Sequence, residues 1–370
     1  SARTAAPVRF FGLHAGSSAT ADTGNALRYA VLSDAPDLTL LPLASDTTDE
    51  PITFPNLHGD HWACALLAAL TVGAALGVPA DRALAALRSF TPLPGRMRLL
   101  DGRDGLALLD DSHNATPTSA AAGLAALTAR AGHTHTQRIA VLGDMLRLGD
   151  AESAAHQELG RLAAIHADYL VTQGERAALL ADTARQQGMP ADHIAITHTA
   201  EDAAHAALSF AAVAQETVGQ TAIVYIKGSE ELRMERVTAL LLAHPEQAET
   251  LLDRQTAAWR RVVVMRPDRP TWLEIDLSAI GHNTRLVKDR IGPHVRLLVS
   301  LKADAYGHGA LRVARTALNN GAEWLGVATV SEAIPLRAAG IAAPILIFGY
   351  MPAWQARDAV RLDLRATIYS

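Results

Sequence analysis

The sequence predicts an α/β chain in two parts: a doubly wound parallel-sheet domain followed by the first half of a β/α barrel. Three observations carry this expectation. From residue 95 onward, apolar runs that read as buried strands alternate with stretches of helical period. Paired carboxylates and turn residues close several of those runs, at the sheet edge where open α/β folds bind ligands. Beyond residue 271 the alternation tightens to five strand-like runs in about a hundred residues. That is the cadence of a barrel, which takes about eight strands and ~250 residues to close.

The elements follow in order. Within residues 1–94, Val8-Arg9-Phe10-Phe11-Gly12-Leu13 reads as a strand entering a loop and Cys64 to Gly77 as an Ala-rich helix. The next domain, 95–247, opens after Leu93-Pro94-Gly95-Arg96-Met97. The strand Leu108-Leu109 then runs into Asp110-Asp111-Ser112-His113-Asn114-Ala115-Thr116-Pro117. Arg138 to Gly149 is a strand and turn, followed by a helix with His156; Tyr169–Gly174 and Thr221–Ser229 are further strand-then-turn units. Residues 248–270 read as a linker, charged at first and then stiff through Arg266-Pro267-Asp268-Arg269-Pro270. The barrel part, 271–370, starts with a strand at Trp272–Leu277 and a helix to Ile291 with Ser278 as its N-cap. Strands ending at Leu301, Ala328, Gly349 and Tyr369 then alternate with helices over Ala310–Leu318, Ser331–Ala339 and Pro352–Arg361.

Composition bounds the partners. With 370 residues, a formal charge of −5 and 49% hydrophobic content, the chain is ordinary globular material for two or three domains and offers no electrostatic case for nucleic acid. A single cysteine, Cys64, excludes internal disulfides and points to the cytoplasm. No signal peptide is expected from the residues as read, and no apolar run in them is long enough for a membrane. His133-x-His135 lacks further ligand spacing, so no metal site is expected. Gly143, Gly149 and Gly174 read as turn glycines rather than phosphate cradles, and His156 as packed or exposed rather than catalytic.

Lysine usage directs attention to one segment. The chain has three lysines, Lys227, Lys288 and Lys302, against thirty arginines. Arginine replaces lysine in most surface roles but forms no imine with an aldehyde cofactor. Lys302 ends an apolar strand and is followed by Ala303-Asp304-Ala305-Tyr306-Gly307-His308-Gly309, a place where a Schiff-base lysine sits in a β/α barrel. Taken alone, the lysine is read more simply as a strand cap or a partner of Asp304.

Together with Thr271-Trp272-Leu273-Glu274-Ile275-Asp276 and Glu323-Trp324-Leu325-Gly326-Val327-Ala328, the motif resembles the start of the alanine racemase family. The resemblance implies a pyridoxal-phosphate (PLP)-dependent TIM-type barrel in which Lys302 carries the cofactor and serves as one of two acid/base groups. It also implies that Tyr306 contacts the cofactor phosphate. The family's second base is a tyrosine in a C-terminal β domain, acting across a homodimer interface. Asp304 stands where the family often has asparagine.

The preceding domain resembles the C-terminal, Rossmann-like domain of the Mur ligases. It is closest to the MurF branch, which adds D-alanyl-D-alanine to the UDP-MurNAc tripeptide using ATP and Mg2+. On that resemblance Arg96 and Asp110 meet the nucleotide ribose region, and His113, Asn114 and Pro117 face the incoming amino component. Lys227-Gly228-Ser229 also matches, with Glu230 where an arginine is usual. Residues 1–94 resemble, more weakly, the tail of that family's central ATPase domain. No G-x-x-x-x-G-K-[ST] occurs.

The sequence therefore predicts a middle segment of a bifunctional ligase–racemase. Its substrates would be alanine, D-alanyl-D-alanine and the UDP-MurNAc tripeptide, and this chain alone would be efficient at neither reaction. The rival expectations are a non-catalytic PLP-binding barrel and a structural dimerisation module fused to a ligase.

Overall fold

In the computed structural model of the chain, the described residues are 11–13, 27–31, 37–42, 51–134, 136–219, 221–256, 259 and 273–368. Val8 to Phe10, His135, the stiff segment Arg266–Pro270, the pair Thr271-Trp272 and Tyr369 lie outside them.

Hydrophobic alternation builds a small first layer. Strands β1 (Phe11–Leu13), β2 (Leu27–Val31), β3 (Leu38–Pro42) and β4 (Ile52–Phe54) line up in that order. The first pair is parallel and the other two are antiparallel. Leu38, Leu40 and Phe54 are buried with Leu57 and with Ala63 and Leu66 of helix α1 (Trp62–Ala75). Helix α2 (Ala80–Arg88) follows and leads to the central domain.

The central sheet contains β5 (Arg98–Asp101), β6 (Ala107–Asp110), β7 (Gln137–Gly143), β8 (Tyr169–Gln173), β9 (Ile194–Thr197) and β10 (Ala222–Lys227). Their spatial order is β5-β6-β10-β7-β8-β9, with only β5 antiparallel. The last strand in sequence thus fills a central slot. All six of its residues are buried, as expected for a strand apolar on both faces.

Helices cover both sides of this sheet. On one face Leu124 and Leu127 of α3 (Pro117–Thr134), Leu159 of α4 (Glu152–His166) and Leu180 of α5 (Ala177–Gln186) share a core with Leu142 and Tyr225. On the other, Ala203 and Ala207 of α6 (Ala200–Val218) and Val237 and Leu241 of α7 (Glu235–Leu241) pack on Val141 and Val224. Alanine at the contact positions lets α6 lie close to the strands. The arrangement is the expected doubly wound one.

The part expected to be a linker begins as part of this domain. After the short helix α8 (Ala248–Leu251), Leu252 is only 3% exposed and belongs to the second core.

The final unit alternates α9 (Leu277–Ile291), β11 (Leu298–Ser300), α10 (Ala310–Asn319), β12 (Trp324–Val327), α11 (Val330–Ala338), β13 (Ile345–Ile347), α12 (Ala356–Arg361) and β14 (Leu364–Ala366). Its strands form one parallel sheet in sequence order, the opening of a β/α barrel.

Two expectations change here. Residues 273–276 form no strand, and the cap of α9 is Asp276 rather than Ser278. The Asp276 carboxylate accepts from the Ala279 N–H at 2.9 Å, while Ser278, already in the first turn, donates to Glu201.

Candidate functional site

The central sheet presents a cleft of about 570 Å³ at the carboxyl ends of β6 and β10, walled by His61, Trp62, Arg96, Asp111, Asn114 and Lys227 among others. Because β10 inserts beside β6, Lys227 at its end comes next to the acidic turn that follows β6. The Lys227 ammonium, 3% exposed, donates to Asp111 Oδ2 at 2.5 Å and to the Asn114 carbonyl at 2.8 Å. The Tyr225 hydroxyl donates to the same carboxylate oxygen at 3.3 Å. Burial raises the Asp111 carboxyl above its usual range, and the Lys227 ammonium pulls it back down.

Asp110 has the opposite orientation. Its side chain is fully buried; one oxygen accepts from the Gly95 N–H at 3.1 Å and the other from the Thr238 hydroxyl at 2.8 Å. Desolvation pushes its pKa up to about 6, against those hydrogen bonds. Both oxygens of the Asp110 carboxylate, expected at the nucleotide ribose region, accept here from protein donors. Its reach into the cleft is indirect, through the Gly95–Arg96 turn. Gly95 has φ +71°, and a Cβ there would lie 2.9 Å from the His113 nitrogen. This close approach sets the exposed Arg96 at the mouth of the cleft.

The other expected residues separate by role. Asn114 lines the cleft, and its side-chain oxygen accepts from the Ala115 N–H at 2.8 Å. Pro117 is the first residue of α3, where the missing N–H costs nothing. Thr116 and Ser119 cap that helix reciprocally. His113 does not join the cleft lining; its Nδ1 lies 2.6 Å from Asp253 Oδ2. His61 and Trp62, to which the sequence assigned no role, complete the wall from the first layer.

Of the glycines read as turn residues, Gly149 (φ +55°) and Gly174 take a left-handed conformation, whereas Gly143 is the last residue of β7. Gly174 has φ +117°, and a Cβ there would meet the Asp144 carboxylate at 2.3 Å. That carboxylate instead accepts from the Ala177 N–H at 2.7 Å. His156 is a packed residue: its Nε2 accepts from the Met145 N–H at 3.0 Å and its Nδ1 donates to the Glu152 carbonyl at 2.8 Å.

In the final unit Lys302 follows β11 at the carboxyl edge of the parallel sheet, exposed and without an ion pair among the described residues. Its ammonium lies 5.8 Å from the centre of the Tyr306 ring. Residues Ala303 to Tyr306 form a left-handed turn with φ between +52° and +57°. Several bonds hold it. The Ala303 N–H donates to Glu332 Oε1 at 2.9 Å, the Ala305 N–H to the Leu301 carbonyl at 2.8 Å, and the Ala310 N–H to Asp304 Oδ1 at 2.6 Å. Asp304 therefore caps α10 and is not the partner of Lys302. The Tyr306 and Ser300 hydroxyls are 3.2 Å apart on the lysine side of the turn.

The fold and these two edges define a two-part α/β protein, with a cleft on a doubly wound sheet and an exposed lysine at a strand end of a β/α unit. Residues 95–230 match the Mur ligase, glutamate ligase domain, and residues 275–370 match the alanine racemase N-terminal domain. The chain joins a Mur ligase C-terminal domain to an alanine racemase N-terminal barrel domain.

Among relatives, alanine racemase 1 of Oceanobacillus iheyensis is 48% identical over 102 residues, 28% of this chain and 27% of that protein. Alanine racemase of Synechocystis is 56% identical over 78 residues, 21% of each chain. Among solved structures, MurF from Acinetobacter baumannii superposes with a TM-score of 0.48 at 22% identity, over 58% of this chain and 46% of that one. Alanine racemase from Bacillus anthracis with bound L-Ala-P gives a TM-score of 0.28 at 40% identity, over 29% and 28%. The chain spans about a quarter of the length of the racemase relatives it matches. No helix among the described residues is long and apolar enough to cross a membrane.

Proposed function

We propose that this chain belongs to a bifunctional cytoplasmic enzyme of peptidoglycan precursor synthesis. One half would ligate D-alanyl-D-alanine to UDP-MurNAc tripeptide at the cost of ATP, with Mg2+; the other would interconvert L- and D-alanine with PLP. The observation that carries the reading is the presence, in one chain, of a Mur ligase domain match and a racemase barrel match whose lysine, at the strand end, has no ion-pair partner among the described residues.

The racemase site residues fit the cofactor. An exposed primary amine with no carboxylate partner among the described residues is available to an aldehyde, and two hydroxyls beside it suit a phosphate. PLP, when bound, supplies an electron sink for the substrate α-carbon. Lys302 Nζ would then take or return the α-proton on one face. Tyr306 would hold the phosphate end, and Glu332 would fix the turn between them by its bond to Ala303. A homodimer is the expected assembly for this half.

In the ligase cleft Arg96 would meet the nucleotide, with Asp110 fixing its turn, and Asn114 would face the incoming dipeptide. His113 and Pro117 would shape that loop.

The test for the racemase half is incubation with PLP followed by borohydride reduction and peptide mapping. The adduct is expected on Lys302 and absent from Lys302→Ala; labelling elsewhere sinks the assignment. For the ligase half, dipeptide-dependent phosphate release by the intact protein is expected, and its absence would remove that activity.

A further inference from the structure

We propose that Asp253 and Arg254, in the segment leading from the ligase domain toward the racemase half, are positioning residues for the Ser112–Asn114 loop of the ligase cleft. The proposal rests on reading that loop as the side of the cleft that receives the dipeptide.

The Arg254 guanidinium is inserted between the loop and α7. It donates to the Ser112 carbonyl at 3.0 Å, to the His113 carbonyl at 3.0 and 3.1 Å, and to Glu235 Oε2 at 3.2 Å. Only 7% of Arg254 is exposed, and its backbone is left-handed at φ +54°. A non-glycine residue held there, with its charge buried, marks a conformation fixed by its contacts. Asp253 takes the other side of the loop, its Oδ2 2.6 Å from His113 Nδ1 and its Oδ1 accepting the Arg254 N–H at 2.8 Å. An ionised carboxylate accepts only, so Nδ1 carries the proton and the ring is fixed in one orientation and tautomer.

Glu235 is fully buried and pairs with both Arg254 and Arg233, and Asp253 supplies a second carboxylate 3.7 Å from Arg254. The second of these arginines reaches further along the connector. It donates to the Trp259 carbonyl at 2.6 Å and lies 5.5 Å over the Trp259 ring. The connector is thus anchored to the ligase domain at residues 253–254 and again at 259, and the loop carbonyls find their donors on the connector. One end of the Ser112–Asn114 loop is held by Lys227 on the sheet, the other by the connector. Arginine suits this position because its planar fork serves two carbonyls and a carboxylate at once, which a lysine cannot do.

Hydrogen exchange separates positioning from general support. In Arg254→Gln the amides of residues 112–116 are expected to exchange about tenfold faster, with β7 and β8 unchanged. The Glu235–Arg233 pair remains, so the fold is retained. In Asp253→Asn the nitrogen-15 signature of the His113 ring is expected to shift toward a mixture of tautomers, and Asp253→Glu to restore it. In the intact ligase both Arg254→Gln and Asp253→Asn should raise KM for D-alanyl-D-alanine several-fold, leaving KM for ATP unchanged. Unchanged exchange at 112–116, or faster exchange spread evenly over the sheet, overturns the proposal. So does a loosened loop with an unmoved dipeptide KM. A wild-type protein that ligates no dipeptide would instead count against the ligase reading, since the exchange experiment does not depend on activity.

Discussion

Asp110 and Asp111 are neighbours in sequence with opposite neighbours in space, and each makes a different prediction. The folded chain holds the Asp110 proton more tightly than the unfolded chain, since burial lifts its pKa from 3.8 to about 6. Its contribution to stability is therefore full below pH 4 and is lost as pH rises toward 6. Asp110→Asn, whose oxygen can accept from the Gly95 N–H while its amide donates to the Thr238 hydroxyl oxygen, removes that dependence. The wild type should lose up to about 3 kcal/mol relative to the variant between pH 4 and 6. Urea midpoints at four pH values check this, and parallel curves would refute it. Lys227→Met acts on the other carboxylate. It strands Asp111 in a site where the residue is 7% exposed, which should cost about 3–5 kcal/mol in urea unfolding. The sequence showed the acidic pair and the Lys-Gly-Ser turn as separate features. Nothing in their spacing of 116 residues announces the contact, which follows only from β10 entering the sheet beside β6. The same holds for Asp253 and Arg254, whose neighbourhood in sequence reads as a charged linker.

Elements were legible where the physics is periodic. Strands β11, β12 and β13 coincide with apolar runs bounded by turn residues, and β10 with an apolar run ended by Lys-Gly-Ser. The alternating pattern before residue 277 misled because Asp276 serves as a helix cap, a role that local alternation does not encode. The left-handed turn after Lys302 was also invisible. Its four residues include no glycine, and L-residues adopt that conformation at a cost of about 1 kcal/mol or more each. Tertiary bonds from Glu332 and Asp304 offset it. Two opposed outcomes follow. Ala303→Gly relieves backbone strain at an exposed position and should stabilise the unit by about 0.5–1 kcal/mol. Asp304→Ala removes the bond to the Ala310 N–H and should destabilise it by about 1 kcal/mol. Thermal melts of both variants check the signs; stabilisation by Asp304→Ala would show that the cap contributes nothing.

At the scale of the whole molecule, the two halves touch through the edge of the central sheet and the α9–α10 layer. Asn320 Nδ2 donates to Asp202 Oδ1 at 2.9 Å, Asn319 Nδ2 to the Ile196 carbonyl at 3.4 Å and Ser278 to Glu201 Oε2 at 3.1 Å, while Arg312 pairs with Glu175. The exposed pair adds little. A titratable group sits inside the contact: His198, after β9, has a buried Nε2 with no partner. Burial, with Arg315 and Arg312 of α10 nearby, depresses its pKa from 6.5 to about 4, and Glu175 only partly opposes them. The folded chain thus binds fewer protons here than the unfolded chain between those values. The stability tied to neutral His198 is present above pH 6.5 and is lost as pH falls toward 4. Acid should therefore loosen the contact between the halves before it unfolds the central sheet. Limited proteolysis that separates the two halves should accelerate between pH 6.5 and 4.5 in the wild type, and less in His198→Leu, which keeps the packing and has no proton to take up. Equal acceleration in both proteins would place the acid sensitivity elsewhere, with Asp202, whose carboxyl pKa is raised by burial, as another titrating group at this surface.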